Sequence, residues 1–70
     1  MEIIVKPILM QILKERNMTQ TQLSEISGVP QGSISRFDKN DRHVDWHIFA
    51  IAKALNINVH DLFKVDYKED

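Results

Sequence analysis

The sequence contains no cysteine. That excludes disulfide staples and thiolate metal centres. It also lacks a surplus of cations: Lys plus Arg number 9 against 10 Asp plus Glu, a formal net charge of -1. A chain that holds nucleic acid through bulk positive charge does not look like this. Long apolar runs are absent as well. Ile3-Ile4-Val5 stops at Lys6, and the run from Ile48 to Ala52 stops at Lys53. Both fall far short of a signal-peptide core or a membrane span, so the expected compartment is the cytoplasm, with no membrane partner. Repeats and low-complexity stretches are missing too. At 70 residues the chain reads as one domain, 1–70, and so short a chain rarely builds both a core and a deep pocket. No Ser/His/Asp set or carboxylate pair has catalytic spacing, so no catalytic residue, cofactor or enzyme activity is expected. What is present is 43% hydrophobic residues, ample for a folded core.

Apolar spacing divides the chain into helices. Ile3-Ile4-Val5 reads as a strand fragment ended by Pro7. From Pro7 to Asn17, Leu9, Ile12 and Leu13 share a helical face. Pro7 suits the first turn, and Asn17 ends the helix in the left-handed conformation. Thr19 and Gln22 form a capping box for a second helix, with Leu23 and Ile26 inward and a stop at Ser27-Gly28. Pro30 opens a third helix running to about Phe37 or Asp38. Ile34 and Phe37 face inward; Gln31, Gly32, Ser35 and Arg36 face outward. Gly32 costs this helix about 1 kcal/mol against alanine, which suggests that its missing side chain is put to use. Asp45 caps a fourth helix, Trp46 to about Leu55, with Ile48, Ile51, Ala52 and Leu55 for the core and Trp46 packed at its start. Asn58 caps a short fifth helix, Val59 to Phe63. Lys64 to Tyr67 alternates as a strand, and Lys68-Glu69-Asp70 reads as a solvated tail.

The expected fold is therefore all-α, a compact five-helix domain. Its apolar end segments pair as a small antiparallel sheet within one chain, or pair across a dimer; the sequence leaves both open.

Charge is unevenly spread. Acids gather after residue 44, whereas Arg36, Lys39 and Arg42 sit close together with His43 beside them. His43 and His47 have the i, i+4 spacing of metal ligands, but no convincing third ligand accompanies them, so no metal site is expected. The most informative stretch is 19–38. Ser24 and Gly28 are small where two short helices must cross, and Leu23, Ile26, Val29, Ile34 and Phe37 tie that crossing to a core. This is a helix-turn-helix pattern, whose second helix lies in the DNA major groove.

Thr19-Gln20-Thr21-Gln22-Leu23-Ser24-Glu25-Ile26-Ser27-Gly28-Val29-Pro30-Gln31-Gly32-Ser33-Ile34-Ser35-Arg36-Phe37 resembles the lambda-repressor/Cro-like (XRE-type) helix-turn-helix family. The segments Ile48 to Ile57 and Asp61-Leu62-Phe63 are similar to its fourth and fifth helices. The resemblance runs from about Leu9 to Phe63. It implies a sequence-specific transcriptional regulator, a repressor of bacterial, phage or mobile-element type, whose partner is double-stranded DNA. It also implies a homodimer, at least on DNA. Carried over by position, Gln20 would hold a phosphate. Gln31, Gly32 and Arg36 would meet base edges, Gln suiting adenine and Arg suiting guanine. Ser33 and Ser35 would reach phosphates or bases, and Lys39, Asn40, Arg42 and His43 would follow the backbone.

Three positions depart from the family pattern. The family's arginine–glutamate pair between its first and third helices is replaced by Leu13 and Asp38, so Leu13 is expected in the core and Asp38 without that partner. Asn40 replaces a glycine and is expected to take the left-handed turn. Ser24 replaces an alanine and needs a hydrogen-bond partner if buried. The net charge of -1 keeps an alternative open: a protein-interaction or antitoxin-like module on the same fold, with weak or no DNA binding.

Overall fold

A computed structural model describes residues 1–69; Asp70, assigned above to the solvated tail, lies outside them. The chain order is β1 (Glu2–Pro7), α1 (Leu9–Glu15), α2 (Gln20–Ser27), α3 (Gln31–Arg36), a 3-10 turn (Phe37–Lys39), α4 (Asp45–Leu55), a second 3-10 turn (Val59–Leu62) and β2 (Phe63–Lys68). Among the described residues there are four α-helices, not the five expected. The missing one is the turn at Val59–Leu62. Only four residues separate Asn58 from the strand that begins at Phe63, too few to complete an α-helix. Asp61 still caps it, its carboxylate accepting the Asn58 N–H at 3.1 Å.

Nor is the domain all-α. β1 and β2 pair antiparallel within the chain, from Glu2 opposite Lys68 to Pro7 opposite Phe63. The Ile8 N–H extends this ladder to the Leu62 carbonyl at 2.9 Å. Pro7 thus closes a strand rather than opening a helix, and Lys68 belongs to a strand rather than to a tail.

Leu9, Leu13, Leu23, Val29, Ile34, Phe37, Ile51, Ala52, Leu55 and Leu62 form the buried core. Every helix contributes, and the second 3-10 turn adds Leu62. No buried side-chain nitrogen or oxygen among the described residues lacks a partner, as a small core requires. Ile26 departs from its expected inward position and is exposed on α2. Trp46, expected to pack at the start of α4, stands half out of the surface, edge-on to the His47 ring with centroids 4.4 Å apart. Asp45 is the first residue of α4 rather than its cap, with Val44 in the cap position.

Helix ends obey local chemistry. Thr19 and Gln22 exchange both capping-box bonds, at 2.8 and 3.0 Å. Asn17 and Asn56 adopt φ 53 and φ 56. After Asn17 the Met18 N–H returns to the Leu13 carbonyl, and after Asn56 the Ile57 N–H returns to that of Ala52. Both are Schellman endings.

Candidate nucleic-acid interface

The turn between α2 and α3 is built differently from the other helix ends. Gly28 takes φ 76, and its N–H reaches the Ser24 carbonyl at 2.9 Å. The Val29 N–H does not return to an α2 backbone carbonyl; it goes to the Ser27 hydroxyl at 3.1 Å. The Ser24 hydroxyl donates to the Val29 carbonyl at 2.7 Å. Both polar groups of the Val29 peptide are thus held by serines while its side chain is buried. This stops α2 sharply and sends the chain across it into α3, with Pro30 at the cap position. The partner required for Ser24 is therefore the turn itself.

Ile34, and Phe37 just after the helix, anchor α3 from below. Gln31, Gly32, Ser35 and Arg36 are all exposed on its outer side. The Arg36 side chain folds back along the helix. A Cβ on Gly32 would lie 3.4 Å from both of its terminal nitrogens, so the bare glycine gives the guanidinium room to lie over the backbone.

Beside α3, the 3-10 turn, the connector 40–44 and the first turn of α4 converge on a shallow cleft. Ser33, Arg36, Asn40, Arg42, His43 and His47 supply its polar lining, and Phe37 and Val44 its apolar lining. Two guanidiniums, the His47 imidazole, an amide and a hydroxyl are donors suited to oxyanions. None of the residues lining it is acidic.

Five of the ten residues singled out in the sequence meet in this cleft: Ser33, Arg36, Asn40, Arg42 and His43. Gln31, Gly32 and Ser35 share the exposed face next to it, and Lys39 is exposed at the end of the 3-10 turn. Asn40 is extended, with φ -99 and ψ 144, rather than left-handed; the 3-10 turn before it has already redirected the chain. His43 is turned inward. Its Nε2 lies 2.7 Å from the Phe37 carbonyl, which can only accept, and its ring lies 4.1 Å from that of Phe37 and 5.9 Å from that of Phe63. Gln20 is half-buried at the start of α2, its amide donating to the Met10 sulfur at 3.3 Å. His47 joins the cleft without having been singled out for this role. The signal was its position four residues after His43, on the first turn of a helix that follows the connector.

An outward polar helix, set by a tight turn across a second helix and flanked by a cationic cleft, defines a helix-turn-helix DNA-binding domain. The family pattern described as Cro/C1-type HTH DNA-binding domain matches residues 9–68, and the chain belongs to that family. The crystal structure of the transcriptional regulator VanUg (Form II) is similar in fold, with a TM-score of 0.69 at 22% identity over 97% of this chain and 92% of that one. Comparison with curated proteins finds no match.

Proposed function

We propose that the protein is a sequence-specific transcriptional repressor that reads an operator by laying α3 in the major groove. The observation that carries this reading is the exposed row Gln31, Gly32, Ser35 and Arg36 on a rigidly seated short helix beside a cleft of oxyanion donors. Gln31 and Arg36 read base edges, with Gly32 allowing close approach. Ser33, Asn40, Arg42 and Lys39 hold phosphates, Ser35 reaches a phosphate or base, and Gln20 meets the backbone at the start of α2. His43 contributes chiefly by fixing the connector against Phe37. The protein works in the cytoplasm, as a homodimer on DNA, and performs no catalysis.

Selection from random duplex oligonucleotides with purified protein tests the reading. Recovery of a palindromic site with steep salt dependence supports it. Arg36→Ala then loses about 1–3 kcal/mol of specific affinity and relaxes one base position; unchanged affinity removes Arg36 from base reading. The net charge of -1 favours a second reading, an interaction module that does not grip DNA, and absence of any enriched site would select it.

A further inference from the structure

With no cysteine in the chain, its sulfur is confined to three methionines, Met1, Met10 and Met18. Met1 is 73% exposed at the chain start, and Met18 packs against the core. Met10 differs in what its sulfur meets. The Gln20 amide donates to it, Nε2 to Sδ 3.3 Å, and Gln20 is a residue assigned to DNA. A thioether has no proton to give, so the amide must turn its NH2 group to the sulfur. Both backbones behind this contact are fixed. The Met10 N–H is held by the Asp38 carboxylate at 3.0 Å. Gln20 is the first residue of α2, directly after the Thr19 cap that Gln22 completes. A change at the sulfur therefore falls on the two side chains. Met10 is half-buried and packs against the core, and Gln20 is half-buried beside it.

We infer that Met10 is an oxidation site whose sulfoxide draws Gln20 away from the DNA backbone; the inference rests on the reading of Gln20 as a backbone contact. The co-reactant is a peroxide. A sulfur lone pair attacks one peroxide oxygen, the S–O bond forms and the O–O bond breaks. With hydrogen peroxide the leaving hydroxide takes the proton of the transferred oxygen and departs as water. Sulfur gives up an electron pair and the peroxide receives it, and a methionine sulfoxide reductase reverses the step. The added oxygen is polar, so placing it against the core without a donor is costly. The side that offers a donor is the Gln20 amide. A normal N–H···O contact is about 2.9 Å, here counted from an oxygen already bonded to the sulfur. The amide must therefore retreat beyond its present 3.3 Å from that sulfur. It is also held more firmly, because the sulfoxide oxygen accepts a hydrogen bond better than the weakly accepting thioether. Oxidation thus moves the Gln20 side chain and occupies its donor together.

Hydrogen peroxide is the probe, applied to the folded wild type, Met10→Leu and Gln20→Ala. Leucine for methionine is a swap that cores tolerate, and Met10→Leu still carries Met1 and Met18, so it reports what their oxidation does. In the wild type, peptide mass is expected to show the Met10 sulfoxide, and the side-chain amide resonances of Gln20 to shift while thermal unfolding stays cooperative. Affinity for the duplex recovered by selection then falls roughly fivefold, the loss of about one hydrogen bond, and treatment with a methionine sulfoxide reductase restores it. Met10→Leu and Gln20→Ala show no fall with peroxide. Four results overturn the inference: a Met10 that stays reduced while Met1 and Met18 oxidise, Gln20 resonances that do not move, an equal fall in Met10→Leu, or an oxidised protein that no longer folds. A reduced protein that recovers no duplex sinks the DNA reading instead. The Met10 sulfoxide and the Gln20 resonances then decide, without DNA, whether oxidation moves Gln20.

Discussion

Asp38 does two jobs for a helix it does not belong to. Its Oδ1 accepts the Leu9 N–H at 2.8 Å and its Oδ2 the Met10 N–H at 3.0 Å. Ile8 sits at the cap position of α1 and has no side-chain oxygen to offer, and the first turn holds no acid. A carboxylate on the exit from α3 fills that gap and meets the positive end of α1. Asp38→Ala is expected to lower stability by about 1–2 kcal/mol, and Asp38→Asn by less, since its single oxygen satisfies only one of the two N–H groups. Urea unfolding of the three proteins checks the order; equal stability of wild type and Asp38→Ala would remove the cap from the account. From the sequence, Asp38 stood out only as lacking the family's arginine partner, whose place Leu13 takes in the core; the cap itself was not legible. This contact spans 29 residues, and local patterns carry no record of it. The same holds for His43, whose bond to the Phe37 carbonyl depends on how the connector folds back. Arg16 is similar: its Nη1 donates to the Leu55 carbonyl at the far end of α4.

Helix ends, by contrast, were legible because their chemistry is local. Thr19 with Gln22, Gly28, Asn17 and Asn58 with Asp61 each act on backbone groups a few residues away. What misled was a residue suited to two roles. Pro7 fits a first helical turn and also the end of an edge strand; pairing with Phe63 decides between them. Ile26 fits the helical spacing of a core residue, yet α2 rotates it outward and leaves Leu23 as its buried residue. Within α3, Gly32 yields a prediction of its own. The nearest atoms to an added Cβ belong to the flexible end of Arg36, with no backbone in the way. Gly32→Ala should therefore raise unfolding stability by about 0.5–1 kcal/mol, while nudging the Arg36 guanidinium by at most a few tenths of an ångström and lowering operator affinity. Thermal unfolding and DNA titration of the same sample separate the two effects. A variant that gains stability and binds as before would show that Arg36 needs no bare backbone beneath it.

Taken over the whole molecule, the charge of -1 is a sum of unlike regions. The cleft beside α3 draws its formal charge from Arg36 and Arg42, with Lys39 exposed nearby and Asp41 and Asp45 on the connector and first turn of α4 that border it, while Asp61 and Asp66 lie on the second 3-10 turn and β2. Non-specific attraction should thus be weak and confined to one side. Lys39→Ala is expected to weaken all DNA sequences about equally and to reduce the salt slope by about 1. A change confined to one sequence would instead make Lys39 a base reader. Among the described residues no helix is long and apolar enough to cross a membrane. The overall class was legible from turn chemistry and core spacing together. The apolar face of the β1–β2 ribbon was not, since alternation within each strand says nothing about register. Only the pairing of Ile3 with Tyr67 brings both sets of apolar residues to the same side.

That pairing has a consequence in time. Nearly all the chain lies between the two strands, whereas the capping boxes and the α2–α3 turn join residues a few positions apart. The entropy lost on closing a loop grows with its length, and helical turns form on far shorter timescales than distant strands meet. The helix-turn-helix can therefore assemble before the ends find each other, and the ribbon is expected to zip late. Contacts made that late affect the rate of unfolding far more than the rate of folding. The ribbon thus acts as a latch on the lifetime of the folded state, while α3 takes shape without it.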